Sequence, residues 1–313
     1  MNILITGIHG FVGSNFVVAL KERHNLYGLD IVVPEKEGVV KTFSWKDIEP
    51  ASFPMRNLPK FDAIIHLAGK AHDTKNRSAA QTYFGINTGL TQKIFDFFLE
   101  STAKKFVFFS SVKAAADSVV GDMLTEDVVP SPIGPYGESK IAAENYILGK
   151  LKIENGELKA NPYDDKKVYI LRPCMIHGPG NKGNLPRLGW LAQKTPVFPA
   201  WHNKRSMLHV VNLAEFVKQI TVREMSGTFF PQNAEYADTV EIVRLFAKEH
   251  GHKVWISRLF NPLVWLGAKF LPAIPKMFSD SYYVQEMSKM DFDYQVISFE
   301  ESLKGLEIRK TMH

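Results

Sequence analysis

At 313 residues the chain has room for one large domain, or for a large domain with a smaller partner. Its content of 45% hydrophobic and 23% charged residues excludes a disordered or fibrous polypeptide. The formal charge of +5 is scattered over single residues and short pairs such as Lys104-Lys105, so a nucleic-acid surface, which needs clustered basic residues, is not expected.

A lone cysteine, Cys174, excludes an internal disulfide and fits a reducing, cytoplasmic setting. The opening residues MNILITG run directly into a buried-strand pattern, so no secretory signal is expected there. Ile3-Leu4-Ile5 predicts the first strand, Phe11 to Arg23 a helix, and Leu26 to Ile31 the second strand. Between the first strand and the helix lies Gly7-Ile8-His9-Gly10-Phe11-Val12-Gly13, a G-x-x-G-x-x-G loop. One glycine suits the tight exit from the strand, one the approach of backbone to a pyrophosphate, and one the packing of helix on strand. The helix N-terminus then offers N–H groups to phosphate oxygens. Asp30 ends the second strand, 17 residues past Gly13. A carboxylate there accepts hydrogen bonds from the adenosine ribose and repels a 2′-phosphate, which favours NAD and leaves NADP as the alternative.

Ala63 to Leu67 predicts another strand, Ala79 to Glu100 a helix, and Phe106 to Phe109 a strand that ends in Ser110-Ser111. Tyr136 to Leu151 reads as helix and Val168 to Leu171 as strand. Strands apolar on both faces, alternating with helices, predict an α/β fold: a Rossmann-type doubly wound parallel sheet with a smaller C-terminal substrate-binding lobe. The dinucleotide-binding domain is expected over residues 1–175, with a strand and helix near 205–225 returning to it, and the lobe mainly over 176–313. Asn261-Pro262 predicts a capped, Pro-started helix. Its apolar residues up to Leu271 are expected to pack on the protein or on a partner subunit; membrane association is not expected and is kept as the lesser alternative. His9, His66 and Cys174 lack partners at metal-ligand spacing, so no metal is expected.

Tyr136 and Lys140 stand at i and i+4, so on a helix they share a face. An ammonium one turn away favours a phenolate and brings a tyrosine toward the working range of an acid–base group. Ser111, 25 residues before Tyr136, ends a strand whose C-terminal end faces the ligand crevice of a parallel sheet.

With these residues the chain resembles the extended short-chain dehydrogenase/reductases, in particular the nucleotide-sugar epimerases, dehydratases and reductases. The resemblance runs over nearly the whole chain. It includes the glycine loop, Ile65-His66-Leu67-Ala68-Gly69, Asn87, Ser110-Ser111, Tyr136 to Lys140, Leu171-Arg172-Pro173 and Arg205 to Val210. It implies Tyr136 as the acid–base group, Ser111 as its hydroxyl partner on the substrate, and Lys140 on the nicotinamide ribose. Leu67, Ala68, Gly69 and Pro173 would line the cofactor, Asp47 and Ile48 would flank adenine, Arg205 would bind the substrate diphosphate and Asn184 the nucleotide sugar.

Met175 and Ile176-His177 depart from the family's pattern, as does Val112-Lys113-Ala114, and these departures bear on the substrate pocket. The dehydratase branch places Asp-Glu directly after the catalytic hydroxyl residue; Val112 and Lys113 occupy those positions and cannot move protons at C5 and C6. What remains is a 4-ketoreductase acting on a UDP-4-keto-6-deoxy-N-acetylhexosamine, which the pattern around Ser111 resembles more, or a 4-epimerase with tightly held NAD. A non-catalytic dinucleotide sensor is the minor alternative. The implied partner is a nucleoside-diphosphate sugar, UDP-linked, and a homodimer stays open.

Overall fold

The structure is a computed structural model that describes residues 1–48, 58–70, 79–116, 123–124, 130–151, 163–181, 184–223, 225–271 and 273–304. Lys182 and Gly183 lie outside the described residues, and of Asn184 only the backbone is described. The chain divides into two compact units, one of residues 1–117, 128–173 and 214–230, the other of 118–127, 174–213 and 231–313.

The first unit is built on seven strands: β1 (Asn2–Thr6), β2 (Asn25–Asp30), β3 (Lys41–Ser44), β4 (Ala63–His66), β5 (Lys105–Phe109), β6 (Lys167–Leu171) and β7 (Gly227–Phe229). They lie in the order β7-β6-β5-β4-β1-β2-β3, and every pairing is parallel. Every residue of β4 is buried, and so are the last four of β5 and of β6. Such strands need helices on both faces, which is why their sequences are continuous apolar runs rather than alternating ones. Helices α1 (Phe11–Leu20), α2 (Ala80–Tyr83), α3 (Leu90–Glu100) and α4 (Pro135–Leu151) belong to this unit. Phe95 and Phe98 of α3 meet Phe106 of β5 at ring-centroid distances of 5.0 and 5.1 Å, in the middle of the core.

Strand order reverses between β1 and β4, and the carboxyl ends of a parallel sheet open a crevice at such a switch point. Thr6 and His66 are register partners there.

The helix expected from Ala79 to Glu100 is broken. Between α2 and α3 the backbone makes a π turn over Phe84–Gly89, and the widened turn carries Asn87 with its side chain fully buried. The strand expected to return to the sheet near residue 205 is also placed differently. Met207–His209 pairs with Met175–His177 in the second unit, while the returning strand is β7, paired with the last residues of β6.

In the second unit, short parallel pairs join Val197–Pro199 to Trp255–Ser257 and Met123–Leu124 to Tyr282–Tyr283. Its helices are α5 (Asn184–Lys194), the first turn of α6 (Val210–Val222), α7 (Thr239–Glu249), α8 (Asn261–Phe270), α9 (Ala273–Phe278) and α10 (Phe299–Leu303). Asp238 caps α7, its Oδ1 accepting from the Val240 N–H at 2.7 Å, and the buried residues Val240, Val243 and Phe246 share one core cluster with Phe198 and Phe278. Asn261 does not cap α8 as expected. It lies inside the helix, and its side-chain amide donates to the Ala200 carbonyl at 3.1 Å. Within the chain, Val264 is the one buried side chain of α8.

Candidate active site

The glycine loop follows β1. Gly7 has φ +70°, a left-handed turn, and a Cβ there would lie 3.0 Å from the Ala68 nitrogen. At Gly13 a Cβ would fall 2.4 Å from the Gly7 carbonyl oxygen, so the first turn of α1 folds directly onto the loop. The helix begins at Phe11 and Val12 after Gly10, with no side-chain cap and no carboxylate in its first turn. Its N–H groups therefore face no competing anion of the chain in that turn. Asp30 ties the loop to β2: one carboxylate oxygen accepts from the His9 N–H at 3.0 Å and the other from the Ile31 N–H at 2.8 Å. Asp47 accepts from the Ser44 N–H at 2.8 Å, and Ile48 packs against the core of the unit.

Tyr136 is half-buried near the start of α4, and Lys140, one turn on, begins a buried face that continues through Ala143, Glu144 and Ile147. Gly137 makes the approach of this helix possible, since a Cβ there would stand 2.4 Å from the Lys113 carbonyl oxygen. Ser111, at the carboxyl end of β5, caps the turn Val112–Ala114 by accepting from the Lys113 N–H at 3.2 Å. Its side chain lies near enough to the Tyr136 hydroxyl to oppose the upward shift of that group, and the tyrosine ring meets Tyr83 edge-on at 6.1 Å.

Lys140 Nζ donates to the Phe109 carbonyl at 2.7 Å, and a Cβ on Gly69 would lie 3.3 Å from it. Burial brings the Lys140 ammonium down to about 8, opposed by the nearby Glu144 carboxylate. Burial raises the Tyr136 hydroxyl above its ordinary value, against the lowering by the Ser111 side chain. This differs from the lowering expected from Lys140: the ammonium is turned to a main-chain carbonyl, and desolvation dominates at the tyrosine.

Two sets of buried polar groups hold this arrangement, and sequence reasoning assigned neither. His66 Nδ1 is 2.7 Å from the Thr6 hydroxyl and its Nε2 3.0 Å from the Thr91 hydroxyl. Asn87 receives the Lys70 N–H at 2.7 Å and donates to Ser139 Oγ at 3.0 Å, and Ser139 donates to the Tyr136 carbonyl at 2.8 Å. Glu144, nearly fully buried, is paired with Arg172 at 2.6 Å and accepts from Ser110, so it binds α4 to the ends of β5 and β6. Pro173 is buried, and its carbonyl accepts from the Val112 N–H at 3.1 Å.

Arg205 and Asn184 belong to the second unit. Arg205 pairs its main chain with Ala237, and Nη1 donates to the Met277 carbonyl at 3.1 Å. Burial lowers its pKa, and the Asp280 carboxylate opposes that. The side chain of Asn184 lies outside the described residues. Among the described residues no three His, Cys, Asp or Glu side chains are placed to hold a metal ion.

The pattern of the NAD dependent epimerase/dehydratase family matches residues 3–229, from the first strand of the sheet to the last. The chain belongs to this family. A UDP-glucose 4-epimerase of Vibrio cholerae is 27% identical over 268 residues, 81% of this chain and 77% of that one. A GDP-6-deoxy-D-mannose reductase of Pseudomonas aeruginosa is 28% identical over 182 residues, 58% of this chain and 54% of that one. The solved structure of a UDP-glucuronic acid 4-epimerase from Bacillus cereus in complex with NAD shares the fold, with a TM-score of 0.69 at 17% identity, covering 98% of this chain and 97% of that one.

NAD is the cofactor of an NAD dependent epimerase/dehydratase, and the residues present fit it. The uncapped N-terminus of α1 suits a pyrophosphate, and the backbone-only packing of Gly7 against Ala68 keeps the crevice clear of side chains at the switch point. His9 Nε2, in the glycine loop, is buried and has no hydrogen-bond partner among the described residues. Each Asp30 oxygen, having accepted one main-chain N–H, keeps a lone pair for a ribose hydroxyl.

Proposed function

We propose that the protein is an NAD-dependent oxidoreductase acting at C4 of a nucleoside-diphosphate sugar, and that it reduces the keto group of a UDP-4-keto-6-deoxy-N-acetylhexosamine. The observation that carries this reading is Ser111 at the carboxyl end of β5 with its side chain beside the Tyr136 hydroxyl, and Lys140 one turn along the helix that bears Tyr136. Bound at the glycine loop, reduced NAD supplies a hydride. Tyr136 donates its hydroxyl proton to the C4 oxygen as the carbonyl becomes an alcohol, and Ser111 holds that oxygen by a second hydrogen bond. Lys140, held by the Phe109 carbonyl, binds the nicotinamide ribose.

Gly7, Gly10, Phe11, Val12 and Gly13 take the pyrophosphate, Asp30 the adenosine ribose, and Leu67, Ala68, Gly69 and Pro173 the rest of the dinucleotide. Asp47 and Ile48 flank adenine, although both are already engaged by local structure. Arg205 supplies a guanidinium to the substrate diphosphate, and Asn184 contacts the nucleotide sugar.

The turn after Ser111 supports a C4 redox reaction rather than dehydration. Val112 and Lys113 offer no carboxylate to remove a proton at C5. A 4-epimerase is the second reading, favoured by the Vibrio cholerae relative that aligns over 81% of the chain. Incubation of purified protein with NADH and the ketosugar tests the proposal. It should consume one NADH per sugar reduced, and no NADH oxidation with this ketosugar would rule the reductase out.

A further inference from the structure

Helix α8 and the turn before it carry a concentrated apolar surface. Leu259, Leu263, Trp265, Leu266, Phe270 and Leu271 are all at least 49% exposed, and Leu259 reaches 78%. Leu263, Leu266 and Phe270 recur at helical spacing and form one stripe. Beside them, Trp265 and Lys269 stand one turn apart, with the ammonium 3.6 Å from the ring centroid. Single exposed apolar residues are ordinary, but a contiguous group of this size marks an interaction surface.

The charge of the segment says what it meets. From His250 to Ser279 the sequence holds Lys253, Arg258, Lys269 and Lys276 and no Asp or Glu, although 33 of the 313 residues are acidic. Leu, Trp and Phe flanked by cations and free of carboxylates is the composition of a helix that lies in a lipid–water interface. At 10 residues α8 is too short to span a bilayer, and among the described residues no helix is long and apolar enough to cross a membrane. A second copy of the chain fits less well. A two-fold contact sets the same face of both copies together, here cation against cation with no carboxylate in the segment to answer.

We propose that the α8 face docks on an anionic membrane surface. Its leucines and Phe270 enter the headgroup boundary to a depth of about 5–10 Å, and Arg258, Lys269 and their neighbours meet lipid phosphates. Trp265 lies at the boundary itself, where an amphipathic ring is favoured. The effect is to gather the enzyme at the membrane surface without anchoring it permanently.

Vesicle flotation with the full chain tests this. Wild-type protein should float with vesicles of phosphatidylglycerol and phosphatidylcholine at low salt, and far less with phosphatidylcholine alone. Partitioning should fall as salt rises, and roughly fivefold in Lys269→Gln, the loss of one cation near an anionic surface. Leu266→Ser with Phe270→Ser should abolish flotation and leave NAD binding intact; should that double variant not fold, the salt response and Lys269→Gln still decide. Failure of the wild type to float with anionic vesicles overturns the proposal. So does equal flotation of the folded double variant, or a wild-type dimer, measured by light scattering, that the double variant breaks.

Discussion

Thr6 and His66 face each other in register across β1 and β4, and the Thr6 hydroxyl is 2.7 Å from His66 Nδ1. The surrounding bonds fix every proton in the chain. The Thr91 hydroxyl donates to the Asn87 carbonyl at 2.6 Å, so it can only accept from His66, which places the ring proton on Nε2. Nδ1 then accepts from Thr6, whose oxygen accepts the Ala68 N–H at 3.0 Å. The chain continues from Asn87 through Ser139 to the Tyr136 carbonyl and joins the two sides of the switch point to the helix that bears the acid. Replacing Thr6 by Val keeps the shape and leaves two buried groups unpaired. It should cost about 1–3 kcal/mol of stability, read by urea denaturation. A midpoint equal to wild type would contradict the assignment.

A neutral, buried His66 has a consequence in acid. Burial holds it at about 3, and His177 and His209 are likewise held at about 3 and 4. Their unfolded-state values are near 6.5. Between those limits the unfolded chain binds more protons than the folded one, so stability is present above pH 6.5 and is lost as pH falls. The denaturation midpoint should already decline between pH 6.5 and about 4.5, above the range of ordinary carboxylates. A flat profile there would mean that these imidazoles are charged in the fold.

Lys140 acts in the opposite direction. Its folded value of about 8 lies below the ordinary 10.5, so the buried ammonium costs stability at neutral pH, on the order of 3 kcal/mol. That cost fades as pH rises from 8 to 10.5, where the unfolded chain still binds the proton. Lys140→Met should therefore have its largest stability advantage over wild type near neutrality, and the gap should narrow through this window. A constant difference would mean that the lysine titrates normally.

Much of the sheet was legible because its central strands are continuous apolar runs. The two edge strands were not. β3 reads Lys-Thr-Phe-Ser, and β7 is Gly-Thr-Phe with its first two residues exposed, so neither carries a two-sided apolar signal. Tyr136 and Lys140 stand one turn apart on α4, as their spacing implied, and Ser111 follows the carboxyl end of β5. The groups that hold them, Asn87, Thr91, Glu144 and Arg172, were not assigned, because each finds its partner far along the chain and local periodicity says nothing of such pairs. The π turn is of the same kind: it carries Asn87, whose side chain bonds to Lys70 and Ser139, within a stretch whose pattern is helical throughout.

Asp30→Ala tests the choice of cofactor. In the wild type NAD should bind at least several-fold more tightly than NADP in calorimetric titration, and the variant should narrow the difference. It should also lose some stability, since the His9 and Ile31 N–H groups lose their acceptor. Equal wild-type affinities for the two dinucleotides would contradict the role given to Asp30.

Tyr136→Phe removes the hydroxyl and keeps the ring against Tyr83. Turnover should drop by roughly 10²–10⁴, while NAD affinity changes little. Turnover within a factor of two of wild type would place the proton donor elsewhere.

The most direct measurement follows the hydride itself. The protein is given NADH deuterated on the transferred position together with a UDP-4-keto-6-deoxy-N-acetylhexosamine, and the product is read by mass spectrometry and NMR. A reductase working through Ser111, Tyr136 and Lys140 delivers one deuterium to C4 for each NADH consumed, and the Tyr136→Phe variant delivers almost none. Interconversion of UDP-N-acetylglucosamine and UDP-N-acetylgalactosamine with no net loss of NADH, and no deuterium in the product of the ketosugar, would contradict the reductase and leave the epimerase.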